Sequence, residues 1–461
     1  VNATAFIAAE TIPGPAQIQA HSGESMTYRS IPAAITVALA ALAVCGCGSS
    51  SAGAPVTAGS GTTGTGGASD TPAGGTTTVS NATCAKAYTP PVALSAGGVS
   101  FCTNLATVPD ATGVGSESGK SCRARSAADI VKEMGQGWNL GNTLDANGNT
   151  ANPLADETFW GNPKTTKAMI DAVRKGGFTT VRMPVSWDDH FSGAARTIDP
   201  AWMDRVEEVA KYALDNGMTV IVNIHHNNGW EAPTLVNEAL AKDSLTKLWT
   251  QIATRFRNYD HHLVFEAMNE PRVAVNGVDD WVGKAEYYDV LNRLDATALA
   301  AIRATGGNNA RRLVMIPSYA AAPGDAQLGP LVLPADAMIA LSSHAYSPWS
   351  FAGDQKGTSV FTGQAELDQL FVRLNTKYVS KGIPVVIGEW ASTDKGNAAE
   401  RVKHASYFVK GAAKYGIPTV WWDNGNKTLT PTASDVMALF DRSNNTWVHQ
   451  DINDAIFCAA Q

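Results

Sequence analysis

The amino-acid sequence predicts an α/β fold, a (β/α)8 TIM barrel, from three observations: eight short β-rich runs, amphipathic helical stretches between most of them, and polar residues gathered at the ends of the runs. In order the runs are 137–141 (GWNLG), 179–185 (TTVRMPV), 219–226 (TVIVNIHH), 263–270 (LVFEAMNE), 312–318 (RLVMIPS), 338–346 (MIALSSHAY), 384–390 (PVVIGEW) and 418–424 (PTVWWDN). The helical patterns between them include DPAWMDRVEEVAKYALDNG, where Trp202, Val206, Val209, Ala210 and Ala213 share one face and Gly217 stops the helix. The connection over 319–337 reads as irregular. Eight such units across the 339 residues from Arg123 to Gln461 fit one barrel with moderate insertions. A barrel needs its reactive groups at the C-terminal ends of the strands, where the βα loops begin. The run ends carry Asn142, Arg182, His225, His226, Asn269, Glu270, His344, Tyr346, Glu389 and Trp422, so polar groups cluster where this fold requires them.

The region before the barrel divides into three. Residues 1–47 hold a stretch without core pattern and then, from Met26, MTYRSIPAAITVALAALAVCGCGSS, in which Arg29 precedes an apolar run of 14 residues from Ile31 to Val44 that ends in small residues. That is the pattern of a secretory signal, shorter than the roughly 20 residues of a membrane span, so an exported chain without a transmembrane helix is expected. Cys45 and Cys47 close the run in a lipobox-like setting, and either would carry a lipid anchor at the cell surface; the alternative is a freely secreted chain. The 48–83 linker, almost wholly Gly, Ser, Thr, Ala and Pro up to residue 80, buries too little apolar area to offset chain entropy. A short segment over 84–122 follows, and the barrel occupies 123–461. Beyond the linker lie Cys84, Cys102, Cys122 and Cys458, which allow three pairings in an oxidising compartment. The favoured pairing is Cys84 with Cys102 and Cys122 with Cys458, the second stapling the two ends of the barrel; scattered buried thiols are the alternative.

Composition narrows the function. Thirty-five Lys and Arg against 42 Asp and Glu give a net charge of -7 without a long basic run, which argues against nucleic acid as a partner. Twelve Trp supply rigid amphipathic surfaces suited to sugar rings, although most are expected in the core. The chain has no HxH at the first strand end and no HExxH, so no metal or other cofactor is expected, and nothing calls for more than a monomer.

Glu270 ends the fourth run and Glu389 the seventh, and a barrel would aim both carboxylates into one mouth from opposite sides. Paired carboxylates of this kind suit glycoside hydrolysis, where one acid protonates the departing oxygen and a carboxylate about 5 to 5.5 Å away attacks the anomeric carbon. Their proton affinities must then differ, and Arg182 and Tyr346 are candidates to stabilise an ionised Glu389, leaving Glu270 as the protonated partner.

The motifs GWNLGNTLDA from 137, RMPVSW from 182, NIHH from 223, FEAMNEPR from 265, HAY from 344, IGEW from 387 and WWDNG from 421 resemble glycoside hydrolase family 5, subfamily 4, in the family's order and across residues 130–458. The resemblance implies a retaining endo-acting enzyme on β-1,4-glucan chains (cellulose, mixed-linkage glucan or xyloglucan), with Glu270 as acid/base and Glu389 as nucleophile. Xylanase or mannanase activity on the same scaffold stays open, as does a non-catalytic polysaccharide-binding barrel. By the same resemblance Asn269 contacts the substrate 2-hydroxyl, Arg182 and Tyr346 orient the nucleophile, His225 and His344 are cleft histidines, and Trp422 is the floor beneath the reacting sugar. Strand alternation would turn His226 away from the cleft unless the loop twists it inward. Trp160 in ETFWGNP is a candidate sugar platform, Trp230 in HHNNGW a weaker one because that stretch departs from HHDGW, and Trp421 is expected to pack between barrel and helices. The rival on the same barrel is a metal-dependent hydrolase using His225, His226, His344 and neighbouring carboxylates.

Overall fold

The computed structural model describes residues 114–117, 120–149 and 151–460. The signal sequence, Cys45, Cys47, the linker and the Cys84–Cys102 pairing lie outside the described residues.

Eight parallel strands close into one barrel: β1 (Gln136–Asn139), β2 (Thr180–Met183), β3 (Thr219–Asn223), β4 (Leu263–Glu266), β5 (Val314–Pro317), β6 (Ile339–His344), β7 (Val385–Trp390) and β8 (Thr419–Trp421). Each pairs with its sequence neighbours, and β8 returns to β1 through Thr419 opposite Gln136 and Trp421 opposite Trp138. The eight predicted runs are these eight strands. Several strands are shorter than the runs. Strands β3 and β4 stop at Asn223 and Glu266, so His225, His226, Asn269 and Glu270 stand on the loops just beyond them. Alternation therefore does not govern His226.

The period of two along the strands separates two cores. Ile221, Val264, Met315, Ala340, Val386 and Val420 point inward and pack with α1 (Ala127–Met134), whose Ala127, Ile130, Val131 and Met134 fill the N-terminal end of the barrel. Their neighbours Val220, Val222, Phe265, Val314, Leu341 and Ile387 point outward into the larger core beneath the helices. The sequence did not announce α1, yet its start was legible. Ser126 accepts the Asp129 N–H at 3.1 Å and Asp129 accepts the Ser126 N–H at 2.8 Å, a reciprocal cap at the helix N-terminus. The carbonyl of Met134 then accepts the hydroxyls of Thr179 (2.5 Å) and Thr180 (2.7 Å), which ties the plug to the start of β2.

The outer ring includes α2 (Lys167–Lys175), α3 (Pro200–Leu214), α4 (Glu238–Phe256), α5 (Ala285–Ala304), α6 (Gln364–Lys377), α7 (Ala398–Ala413) and α8 (Gln450–Ala459). The predicted face of α3 is the buried one: Trp202, Val206, Val209, Ala210 and Ala213 all lie in the core, and Gly217 follows the helix with φ of 65°. Between β5 and β6 lie only a 3-10 turn and the one-turn helix Asp325–Leu328, in keeping with the irregular reading of that stretch. Among the described residues no helix is long and apolar enough to cross a membrane.

Because the plug lies at the end of the barrel opposite the strand C-termini, Met134→Ala should lower stability by about 2–4 kcal/mol through cavity formation. The expected result is a lower urea midpoint at unchanged m-value, with KM unaltered.

Candidate active site

Above the apolar plug the interior of the barrel turns polar. Arg182 on β2 is fully buried between its outward neighbours Val181 and Met183, and its guanidinium spans the mouth. Nε donates to Glu266 Oε2 (2.8 Å), Nη1 to Glu389 Oε1 (2.6 Å) and to Asn139 Oδ1 (3.0 Å), and Nη2 to Asn269 Oδ1 (2.8 Å). The planar fork of an arginine can serve four acceptors at once, which a lysine cannot. Glu266 is in turn held by the Ser342 hydroxyl (2.6 Å) and the Asn223 amide (2.9 Å). Strands β1, β2, β3, β4, β6 and β7 thus meet in one hydrogen-bonded layer.

Glu389 takes the Tyr346 hydroxyl on Oε2 at 2.8 Å, so the two residues expected to orient it do so. Glu270 stands across from it. One carboxylate oxygen of each lies within 4.8 Å of the other and of His344. His344 Nδ1 is 2.8 Å from Glu270 Oε1 and 3.6 Å from Glu389 Oε2, while its Nε2 faces Glu266 at 3.7 Å.

Burial alone would pull His344 down, but the Glu389 charge and the bonds to Glu266 and Glu270 outweigh it and hold the imidazolium up at about 9. Burial likewise acts to raise Glu266, and the Arg182 charge with His344 brings it down to about 2. For Glu270 burial is again the largest influence, yet the bond and charge of His344, aided by Arg272, leave it below the usual carboxylate range. Burial pushes Glu389 up despite His344 and Arg182. These directions run opposite to the expected order, in which Arg182 and Tyr346 would favour an ionised Glu389 and leave Glu270 the protonated partner. His344 has the raised proton affinity, with Nδ1 on Glu270 and Nε2 between Glu266 at 3.7 Å and Arg182 Nη2 at 3.5 Å, an arrangement that spacing along the chain does not reveal.

The cleft around this pair is a cavity of about 1150 Å³ whose walls include Asn142, Trp160, His225, His226, Asn269, Tyr346 and Trp422 together with both glutamates. Arg182 and His344 stand behind that wall and act through the groups they hold. Asn142 turns the chain after β1 at φ of 54°, its N–H bonded to Asp145 (3.0 Å) and its carbonyl to Asn162 (2.7 Å). Trp422 lies parallel to the His225 ring, with centroids 5.8 Å apart, and any side chain at Gly141 would meet the Trp422 indole at 2.9 Å. His226 faces the cleft against Trp160, with ring centroids 5.5 Å apart. Trp160 is 41% exposed and anchored by Nε1 to the Asn147 carbonyl, as a platform should be. Trp230 is not a platform: it is buried, with Nε1 on Asp188 at 2.7 Å. Trp421 packs edge-on against Trp390 beneath the helices.

Among the described residues three groups of donors have the spacing of metal ligands: two in the cleft, Asp145 with His225 and His226, and Glu270 with His344 and Glu389, and a third, Asp260 with His261 and His262, just before β4. In the second, the site of a cation is taken by Arg182 and protonated His344. In the first, the Asn223 amide nitrogen stands 3.1 Å from His225 Nδ1, which puts the ring proton on Nε2, the nitrogen facing Asp145. Neither of the two cleft sets suits a metal.

Glu266, Arg272, Trp281 and Trp349 went unread in the sequence. Glu266 could have been found, since in LVFE it alternates with Phe265 and must face inward where Arg182 does. Trp281 reaches the cleft from the loop after a hairpin and Trp349 from the start of the one-turn helix Trp349–Ala352, both too short to leave a periodic pattern in the sequence.

The family model described as Cellulase (glycosyl hydrolase family 5) matches residues 144–428. The chain belongs to glycosyl hydrolase family 5. It is 44% identical over 351 residues to the cellulase/esterase CelE of Acetivibrio thermocellus, a match covering 74% of this chain and 41% of that protein, so the chain spans well under half of that relative. It is 44% identical over 340 residues to endoglucanase B of Clostridium cellulovorans, covering 72% of this chain and 75% of the relative. The solved GH5-4 broad specificity endoglucanase from Ruminococcus champanellensis with bound cellotriose superimposes with a TM-score of 0.70 at 41% identity, over 72% of this chain and 99% of that one. All seven motifs of the family 5 resemblance fall inside the described barrel.

Arg182→Lys should lower kcat/KM by at least about 10²-fold in a folded protein, since one ammonium cannot hold Glu266, Glu389, Asn139 and Asn269 together. Far-ultraviolet circular dichroism alongside initial rates checks it. His344 gives a second expectation. Its folded pKa of about 9 lies above the ordinary value of 6.5, so folding favours the protonated form. Its contribution to stability is therefore complete below pH 6.5 and lost as the pH rises through about 9. The urea midpoint of the parent protein should fall across that window more steeply than that of His344→Asn.

Proposed function

We propose that this family 5 chain is a retaining endo-β-1,4-glucanase, exported from its cell, with Glu389 as nucleophile and Glu270 as acid/base. The observation that carries the reading is the pair itself: carboxylate oxygens within 4.8 Å of one another in an open cleft flanked by tryptophans. That spacing fits direct attack, whereas an inverting enzyme separates its carboxyls by about 6.5–9.5 Å to admit a water. The cellotriose in the structural neighbour supports a glucan chain as substrate here.

In the first step a Glu389 oxygen bonds to the anomeric carbon, the glycosidic C–O bond breaks, and Glu270 delivers its proton to the departing oxygen. In the second, Glu270 takes a proton from water, the water oxygen bonds to the anomeric carbon, and the ester to Glu389 breaks, regenerating both residues with net retention. Arg182 occupies the Asn269 Oδ1, which leaves the amide nitrogen as the group to donate to the sugar 2-hydroxyl. Trp422 and Trp160 supply stacking faces along the chain of sugars. An open cleft of about 1150 Å³ and these platforms favour action within a polymer, on cellulose, mixed-linkage glucan or xyloglucan. Cys122 and Cys458, both disulfide-bonded, would staple the start of the barrel domain to α8.

Proton NMR of the first products should show the β-anomer. Glu270→Ala should retain its glycosyl-enzyme step with an activated aryl cellobioside and give a β-glycosyl azide when azide is added, while Glu389→Ala should be inactive at attack or give only the α-azide. The opposite pairing of azides would reverse the two roles, and an α-anomer formed first would refute retention.

A further inference from the structure

Two cations hold Glu270 in the open cleft: His344 on Oε1 at 2.8 Å, and Arg272 Nη1 on Oε2 at 3.3 Å. A carboxyl held in this way is a poor proton donor, yet the double displacement needs it to protonate a departing oxygen. Something must relax when substrate binds. His344 is buried and faces a carboxylate from each ring nitrogen, so it cannot leave Glu270 without also leaving Glu266. Arg272 is different. Its side chain is 25% exposed, it lines the cleft, and its guanidinium carbon lies 4.3 Å from the centre of the Trp281 ring.

A hairpin directly after Glu270 builds this arrangement. Its strands, Val273–Val275 and Val278–Asp280, are joined by Asn276 and Gly277 at φ of 53° and 76°, the two-residue turn that matches strand twist. The register sets Asp279 opposite Ala274, and from there its carboxylate takes Arg272 Nε at 2.7 Å. Asp280 Oδ1 accepts the N–H groups of Val282 and Gly283 (2.9 Å each), and Gln327 donates to the Trp281 carbonyl at 3.0 Å. The Tyr319 hydroxyl accepts the Val273 N–H at 3.1 Å. Arg272 also gives Nη2 to Asp279 (2.7 Å) and Nη1 to the Glu270 carbonyl (3.0 Å), so its contact with the Glu270 carboxylate, at 3.3 Å, is the longest it makes and the first to yield.

We propose that Arg272 is a positioning residue that couples the acid to occupancy of the leaving-group side of the cleft: a glucosyl unit stacking on Trp281 takes the indole face from the guanidinium, which withdraws towards Asp279 and away from Glu270. The inference rests on the reading of Glu270 as acid/base. Trp281 is linked to the catalytic pair by Arg272, which bonds Glu270, and on the acid/base reading that is the side of the departing oxygen. The other groups facing Glu270 are His344 from β6, Tyr346 just past it, Glu389 from β7, Arg182 from β2 and His226 beyond β3. Arg272 is the one among the described residues that both bonds Glu270 and lies over the Trp281 ring.

The test is a pair of pH profiles on the full chain with cellohexaose, long enough to place sugars on both sides of the scissile bond. The alkaline limb of kcat/KM reports the free enzyme and that of kcat the complex. A nearby cation lowers a carboxyl pKa, so in the parent protein the kcat limb should lie about 0.5–1 unit above the kcat/KM limb. Arg272→Met should raise the kcat/KM limb to meet the kcat limb, and Arg272→Lys, which keeps the charge, should preserve the separation. Coincident limbs in the parent protein, or a kcat/KM limb that Arg272→Met leaves in place, would overturn the coupling. Azide rescue of Glu270→Ala separates the two levels: rescue with an unmoved limb removes the coupling alone, whereas no rescue removes the acid/base reading beneath it.

Discussion

Everything at the mouth of this barrel depends on one buried guanidinium. Arg182 has no contact with solvent, so its charge must be met by protein, and the cost of stripping an ion of water is repaid only when geometry and hydrogen bonding are close to complete. Two carboxylates and two amides meet that demand, drawn from strands and strand ends around the barrel. The ion therefore orders the strand ends as well as orienting a reactive carboxylate. A shift of one strand by a residue would turn a carboxylate out of the barrel and leave the charge unmet, so the same network that prepares Glu389 also opposes slippage of the sheet.

The layer divides the barrel into two regimes. Below Arg182 the interior is apolar and closed by α1, and its stability comes from packing. Above it, three glutamates are balanced by Arg182, a protonated His344 and the more peripheral Arg272. Near-neutrality of that set lets the carboxylates remain close together while buried. It also makes their proton affinities mutually dependent, since any displaced cation is felt by the whole group. A site that must hold a proton at one stage and lack it at the next is well served by such a balance.

A second charged pair closes the barrel seam. Arg442 donates to the Gly141 carbonyl (2.8 Å), the Thr143 hydroxyl (2.6 Å) and the Asp423 carboxylate (3.1 Å), while Asp423 Oδ2 also accepts the Leu439 N–H at 2.8 Å. The loops after β1 and β8 are joined there, and those loops carry Asn142 and Trp422. The floor of the cleft is thus fixed from behind by an ion pair remote from the reacting groups, and Gly141 leaves the room that the indole fills.

The sequence by itself determined the eight strands, the buried face of α3 and the residues that meet in the cleft, because alternation, helical period and the position of polar groups at strand ends are local properties of the chain. Glu270, Glu389, Arg182, Asn269, His344 and Tyr346 were legible for that reason. What the tertiary structure alone decided is how those groups divide charge. His344 has a raised proton affinity because residues far apart in sequence bring Glu266, Glu270 and Glu389 around its ring, and Trp230 is a core residue because Asp188, 42 positions away, captures its N–H. The loops followed the same rule. His226 faces the cleft because β3 ends three residues before it, and Trp281 is held where it is by Gln327 from the one-turn helix between β5 and β6. Burial and through-space charge depend on distances that no period along the chain encodes.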